Sequence, residues 1–103
     1  MSSILVVDDS AVDRRLVGEL LERKFQCAVN YAANGLEAMA RMQALAPELV
    51  ITDLTMPEMN GLDVLAAMQK EFPEMPVVVI SGTGTLNDVV QTMKLGAWDY
   101  ILK

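Results

Sequence analysis

Three aspartates stand where carboxylates are costly to place. Asp8 and Asp9 follow the apolar run Ile4-Leu5-Val6-Val7, and Asp53 closes the run Leu49-Val50-Ile51-Thr52. Ionised oxygens at the ends of buried strands lose hydration and need compensation. A small cation held by oxygen ligands supplies it, and one carboxylate can still serve as a nucleophile. The chain has no histidine and a single cysteine, Cys27. That leaves oxygen donors and a hard ion, and a short ligand list with retained water favours Mg2+ over Ca2+. Two further strand-length runs end in Ser81 and Lys103. An ammonium and a hydroxyl beside a metal form a set suited to a phosphoryl group, whose transfer depends chiefly on position and charge neutralisation.

The elements that must carry these groups are legible as alternating patterns. Ser3–Asp8, Ala28–Ala32, Leu49–Asp53, Val77–Ser81 and Trp98–Leu102 read as strands. Between them run helical stripes: Val12, Leu16, Leu20 and Leu21; Leu36, Met39, Ala40 and Leu45; Leu62, Leu65, Ala66 and Phe72; and Leu86, Val89, Val90 and Met93. Each stripe is expected to be a core face. Ser10, Asn34-Gly35 and Asn60-Gly61 are start signals, Pro57, Pro73 and Pro76 interrupt, and Gly96 stops the last helix. Strand–helix alternation implies an α/β fold, a doubly wound parallel sheet with right-handed crossovers. Ligands of such sheets bind at the carboxyl ends of the strands, where Asp8, Asp9, Asp53, Ser81 and Lys103 all fall.

Composition narrows the function. The 103 residues fit one domain, 1–103, with an aliphatic core: 52% are hydrophobic and only 5% aromatic. A formal net charge of -6 argues against direct nucleic-acid binding, which uses clustered cations. The pairs Arg14-Arg15 and Arg23-Lys24 read as solvated positions on one helix. No apolar stretch approaches the roughly 18 residues of a membrane span, and no secretory signal is visible. Cys27 reads as a small core residue suited to a reducing cytoplasm. Without histidine, the chain cannot build a Ser-His-Asp or Cys-His nucleophile, a His-ligated zinc site or its own phosphohistidine relay.

The runs Val6-Val7-Asp8-Asp9-Ser10, Asp53-Leu54-Thr55-Met56-Pro57 with Asn60-Gly61, Ser81-Gly82, and Gly96-Ala97-Trp98-Asp99-Tyr100-Ile101-Leu102-Lys103 together resemble the receiver domain of two-component response regulators, the CheY-like family. The resemblance covers the whole chain in order. It implies a flavodoxin-like five-stranded sheet of order 2-1-3-4-5, with Asp53 as the phosphoacceptor. It also implies Mg2+ held by Asp9, Asp53 and the Thr55 carbonyl, with Asp8 acting through metal-bound water. Lys103 would pair with Asp53 and then with the phosphoryl group. Ser81 would move toward that group and Tyr100 would change rotamer in response. Met56 and Pro57 would shape the loop, and Gly61 would stand where a side chain crowds the turn. Thr55 and Thr83 occupy the family's positions flanking the hydrolytic water.

The implied function is a phosphorylation-dependent cytoplasmic switch, not an enzyme with an external substrate. It would be charged by a histidine kinase or phosphotransferase and read by a partner or by an output domain of the parent protein. Two other readings stand beside it. One is a receiver-like module that docks without switching. The other is a small-substrate aspartyl-phosphate phosphatase, which lacks an acidic residue at Thr55 and a cap domain. The family continues through a proline and a fifth helix, so a chain ending at Lys103 is expected to be shortened or part of a longer regulator. Apolar surface beside the first and fifth strands and on the flank of the first helix is then expected to be exposed, favouring self-association.

Overall fold

A computed structural model describes residues 3–56, 59–82 and 85–102. Strands β1 (Ser3–Val7), β2 (Ala28–Ala32), β3 (Leu49–Asp53), β4 (Val77–Ser81) and β5 (Asp99–Leu102) alternate with helices α1 (Ala11–Phe25), α2 (Gly35–Leu45), α3 (Gly61–Glu71) and α4 (Leu86–Lys94). The strands form one parallel sheet in the order β2-β1-β3-β4-β5. This is the flavodoxin-like arrangement expected, with four helices and no fifth among the described residues. β5 is one residue shorter than expected. Trp98 already donates its amide to the Val77 carbonyl (2.8 Å), but paired register begins at Asp99 opposite Val78.

Each central strand is buried on both faces, which explains its continuous apolar run. On one face Leu5, Val7, Val50, Val77 and Val79 pack with Ala38, Met42, Val64, Leu65 and Met68 of α2 and α3. On the other, Ile4, Val6, Ile51, Ile80 and Cys27 form a smaller cluster with Val17 and Leu21 of α1 against it. Asparagine side chains start α2 and α3: Asn34 accepts from the Glu37 amide (2.8 Å) and Asn60 from the Asp63 amide (3.0 Å). Thr85 and Asp88 form a reciprocal capping box on α4. Gly96, at φ +96, ends α4 in the left-handed region glycine favours.

Two helical stripes face the core only in part, through Leu21 on α1 and Val89 on α4. On α1, Val12, Leu16 and Leu20 are more than half exposed, while Val17, Gly18 and Leu21 turn toward the sheet. The reason is Tyr31: its ring lies where a Cβ on Gly18 would stand, with the hydroxyl 1.9 Å from that point. The buried centre of α1 is therefore a glycine, which a hydropathy stripe passes over. On α4, Leu86, Val90 and Met93 are exposed and the wholly buried residue is Thr92. Likewise Leu36, Ala40 and Ala66 lie outside on α2 and α3. The surface expected beside the first strand is absent, because Ile4 through Val7 are all buried. Exposed apolar side chains lie on the α1 flank, along α4 and at Trp98, Ile101 and Leu102.

Candidate functional site

The register brings the site together. Val7 pairs with Thr52, so Asp8 stands level with Asp53 at the carboxyl rim. Asp53 pairs with Ile80, placing Ser81 one residue beyond that level on the neighbouring strand, opposite Leu102 of β5. One carboxylate oxygen from each of Asp8, Asp9 and Asp53 lies within 4.8 Å of the others. Asp8 is fully buried, Asp53 is 7% exposed and Asp9 faces solvent. Ser81 is also buried. Thr55, two residues past Asp53, is exposed. Lys103, Pro57 and Thr83 lie outside the described residues.

Local hydrogen bonds hold the acidic turn. The Asp8 amide continues the ladder to the Ala32 carbonyl (3.1 Å). Its carboxylate accepts from the Ser10 amide (2.9 Å), and Ser10 Oγ accepts from the Asp13 amide (3.3 Å) at the start of α1. The helix cap and the acidic turn are thus one unit. Asp8 as a capping-region residue and Asp8 as a metal-site residue are compatible, since a carboxylate has two oxygens.

Behind Asp53 the main chain folds tightly. The Gly61 amide donates to the Leu54 carbonyl (2.7 Å), and a Cβ on Gly61 would stand 2.3 Å from the Asp53 carbonyl oxygen. This is the crowding expected at Gly61, and it makes glycine a condition for the position of Asp53. Tyr100 pairs with Val79 and packs half-buried against the α2–α3 core. Its Oη, like Thr92 Oγ1, is buried without a hydrogen-bond partner among the described residues.

Sequence reasoning missed one contact. Arg14 is only partly exposed, and its guanidinium donates to the main-chain carbonyl of Asp8 (2.7 Å). It is therefore no ordinary solvated charge. A signal was present: a cation four residues beyond the Ser10 cap sits at the positive end of the helix dipole, and helical side chains tilt back toward that end.

The donor set suits a hard dication. It offers carboxylate oxygens alone, two of them from buried residues whose like charges repel. A sequence model of the family described as response regulator receiver domain matches residues 4–103. The chain belongs to that family. Relatives of this receiver domain include chemotaxis protein CheY of Thermotoga maritima, 35% identical over 97% of this chain and 83% of that protein. Protein-glutamate methylesterase/protein-glutamine glutaminase 3 of Rhodospirillum rubrum is 39% identical over 100% of this chain, which spans only 28% of that protein. Among solved structures, the receiver domain of NtrX from Brucella abortus superimposes with a TM-score of 0.90 at 36% identity, covering 97% of this chain and 84% of that one. The receiver domain is a regulatory unit of phosphorylation-dependent signalling, and no helix among its described residues is long and apolar enough to cross a membrane.

Proposed function

We propose that Asp53 accepts a phosphoryl group in a Mg2+-dependent reaction, with Asp8, Asp9, Asp53 and the Thr55 carbonyl holding the ion. The observation carrying this reading is the cluster of three carboxylates within 4.8 Å at the sheet rim. When bound, Mg2+ supplies the positive charge that lets an anionic donor approach an anionic nucleophile. An Asp53 carboxylate oxygen attacks phosphorus in line. The bond to the donor breaks and an acyl phosphate forms. Because the chain has no histidine, the donor is external: the phosphohistidine of a histidine kinase or phosphotransferase, or a small acyl phosphate. Lys103 pairs with the new phosphoryl group, Ser81 moves toward it, and Tyr100 responds on the α4–β5 side. The result is a population shift relayed to a partner or output domain. The only catalysis assigned is the domain's own phosphorylation and dephosphorylation, in the cytoplasm.

The test is Mg2+-dependent labelling by acetyl phosphate, read by intact mass. The wild type is expected to gain one phosphoryl group and Asp53→Asn none. Undiminished labelling of Asp53→Asn would remove Asp53 from the role.

Self-association belongs to the same proposal. Val12, Leu16 and Leu20 on α1, with Ile101 and Leu102 on β5, are exposed apolar side chains. Light scattering over a concentration series is expected to show the apparent mass rising; a constant monomer mass would count against it.

A further inference from the structure

We infer that Arg14 is a positioning residue of the acidic site, through its bond to the Asp8 carbonyl. This inference rests on the Mg2+ reading above. The carbonyl belongs to the peptide joining Asp8 to Asp9, so the guanidinium is fixed on the link between two of the three clustered carboxylates. The Asp8 side of that link is already constrained by the Asp8 amide on Ala32 and the Ser10 amide on the Asp8 carboxylate. Asp9 is exposed and no comparable constraint from its own side chain is described. Arg14 thereby sets the plane of the peptide from which Asp9 projects, and so the direction in which Asp9 meets Asp8 and Asp53.

The placement runs against local preference. Arg14 lies in the first turns of α1, where the helix dipole disfavours a cation. Its main-chain amide makes the helical bond to the Ser10 carbonyl (2.9 Å), while its side chain reaches back past the cap. Two features offset the dipole: a carbonyl acceptor at 2.7 Å and the nearby carboxylates. The adjacent Arg15 behaves differently. It is exposed and pairs along the helix with Glu19 (3.6 Å). The two arginines therefore divide into one that serves the acidic turn and one that serves the surface.

Positioning and charge predict opposite signs, which makes the inference testable. If Arg14 acted mainly as a positive charge beside the site, removing it would strengthen Mg2+ binding. If it positions Asp9, removing it weakens binding. Partners that orient metal ligands typically change metal affinity by about 10–100-fold when lost. Mg2+ affinity is to be measured by calorimetric titration for wild type, Arg14→Ala, Arg14→Gln, Arg14→Lys and Asp9→Asn, with circular dichroism confirming the fold. Arg14→Ala is expected to weaken binding about tenfold. Arg14→Gln and Arg14→Lys, which each keep a donor, are expected to recover part of the loss. The Asp9 and Ser10 amides of Arg14→Ala should also exchange hydrogen faster in metal-free buffer.

Unchanged or tighter Mg2+ binding in Arg14→Ala overturns the inference. So does an equal loss in all three Arg14 variants, since that tracks the guanidinium itself and not the hydrogen bond. If Arg14→Ala fails to fold, Arg14→Gln and Arg14→Lys decide: weaker binding by both, with faster exchange of the Asp9 and Ser10 amides, supports positioning, and unchanged or tighter binding by the neutral variant overturns it. Asp9→Asn separates the two levels. Retained affinity in that variant overturns the metal reading and the inference with it, whereas loss in Asp9→Asn alone overturns only the role of Arg14.

Discussion

In metal-free buffer, Asp53→Asn is expected to be more stable than the wild type. Asp8 and Asp53 are both buried, and their oxygens lie within 4.8 Å of each other and of Asp9. Two unit charges at that separation repel by about 3–4 kcal/mol at an effective dielectric near 20. Exposure of Asp9 to solvent reduces its share, the further interactions that Asp8 and Asp53 make offset part of the repulsion, and an Asn side chain keeps one oxygen acceptor where Asp53 had two. The expected net gain is about 1–2 kcal/mol, a rise of several degrees in melting temperature for a domain of this size. Adding Mg2+ reverses the ranking. A ligand at 100 times its dissociation constant stabilises the native state by about 2.7 kcal/mol, which the wild type gains and the variant largely forgoes. Thermal melts with and without Mg2+ test both halves. A lower metal-free melting temperature for Asp53→Asn would show that repulsion does not dominate the site.

Gly61→Ala is expected to destabilise the domain and displace the nucleophile together. At an ordinary helical position the change would favour the helix by about 1 kcal/mol. Here the new Cβ would meet the Asp53 carbonyl oxygen at 2.3 Å and Leu54 Cα at 2.7 Å. Both are main-chain atoms, so no rotamer relieves the clash, and the strand end must move. Overpacking of this kind costs about 1–3 kcal/mol, enough to outweigh the helical gain. Gly35 provides the contrast. A Cβ there would meet Val64 Cγ2 at 2.7 Å and Met59 Cγ at 2.8 Å, side-chain atoms away from the main chain that carries Asp53. Urea denaturation should therefore show a larger loss for Gly61→Ala than for Gly35→Ala, and only the former should weaken Mg2+ binding. Equal losses would mean that the turn behind Asp53 is more pliable than its contacts indicate.

The strands and the site were legible for the same reason. A parallel strand buried on both faces is a continuous apolar run, and a polar residue ending such a run is conspicuous. Asp8, Asp53 and Ser81 could thus be assigned to one rim before any register was known. The facing of the helices was not legible in this way. Periodicity finds a stripe of apolar side chains, but α1 turns inward on Val17, Gly18 and Leu21, and α4 buries Thr92. Gly18 counts as core only because Tyr31 from β2 fills its place, a fact about another element. Arg14 was hidden similarly. Its charge suggested solvent, and its acceptor is a main-chain carbonyl six residues away, to which side-chain patterning is blind.

The hydroxyl of Tyr100 has one more consequence. It is buried without a hydrogen-bond partner among the described residues. A polar group left so carries a penalty of about 1–3 kcal/mol, recovered wherever the ring meets water or an acceptor. In the proposed switch, that recovery would lower the cost of turning the ring outward. Every 1.4 kcal/mol changes an equilibrium by about tenfold, so the missing bond alone is comparable to the input needed to invert two nearly balanced positions. In the switch proposed above, a ring held by such a bond would resist the movement of Ser81, whereas an unsatisfied one would follow it at low cost.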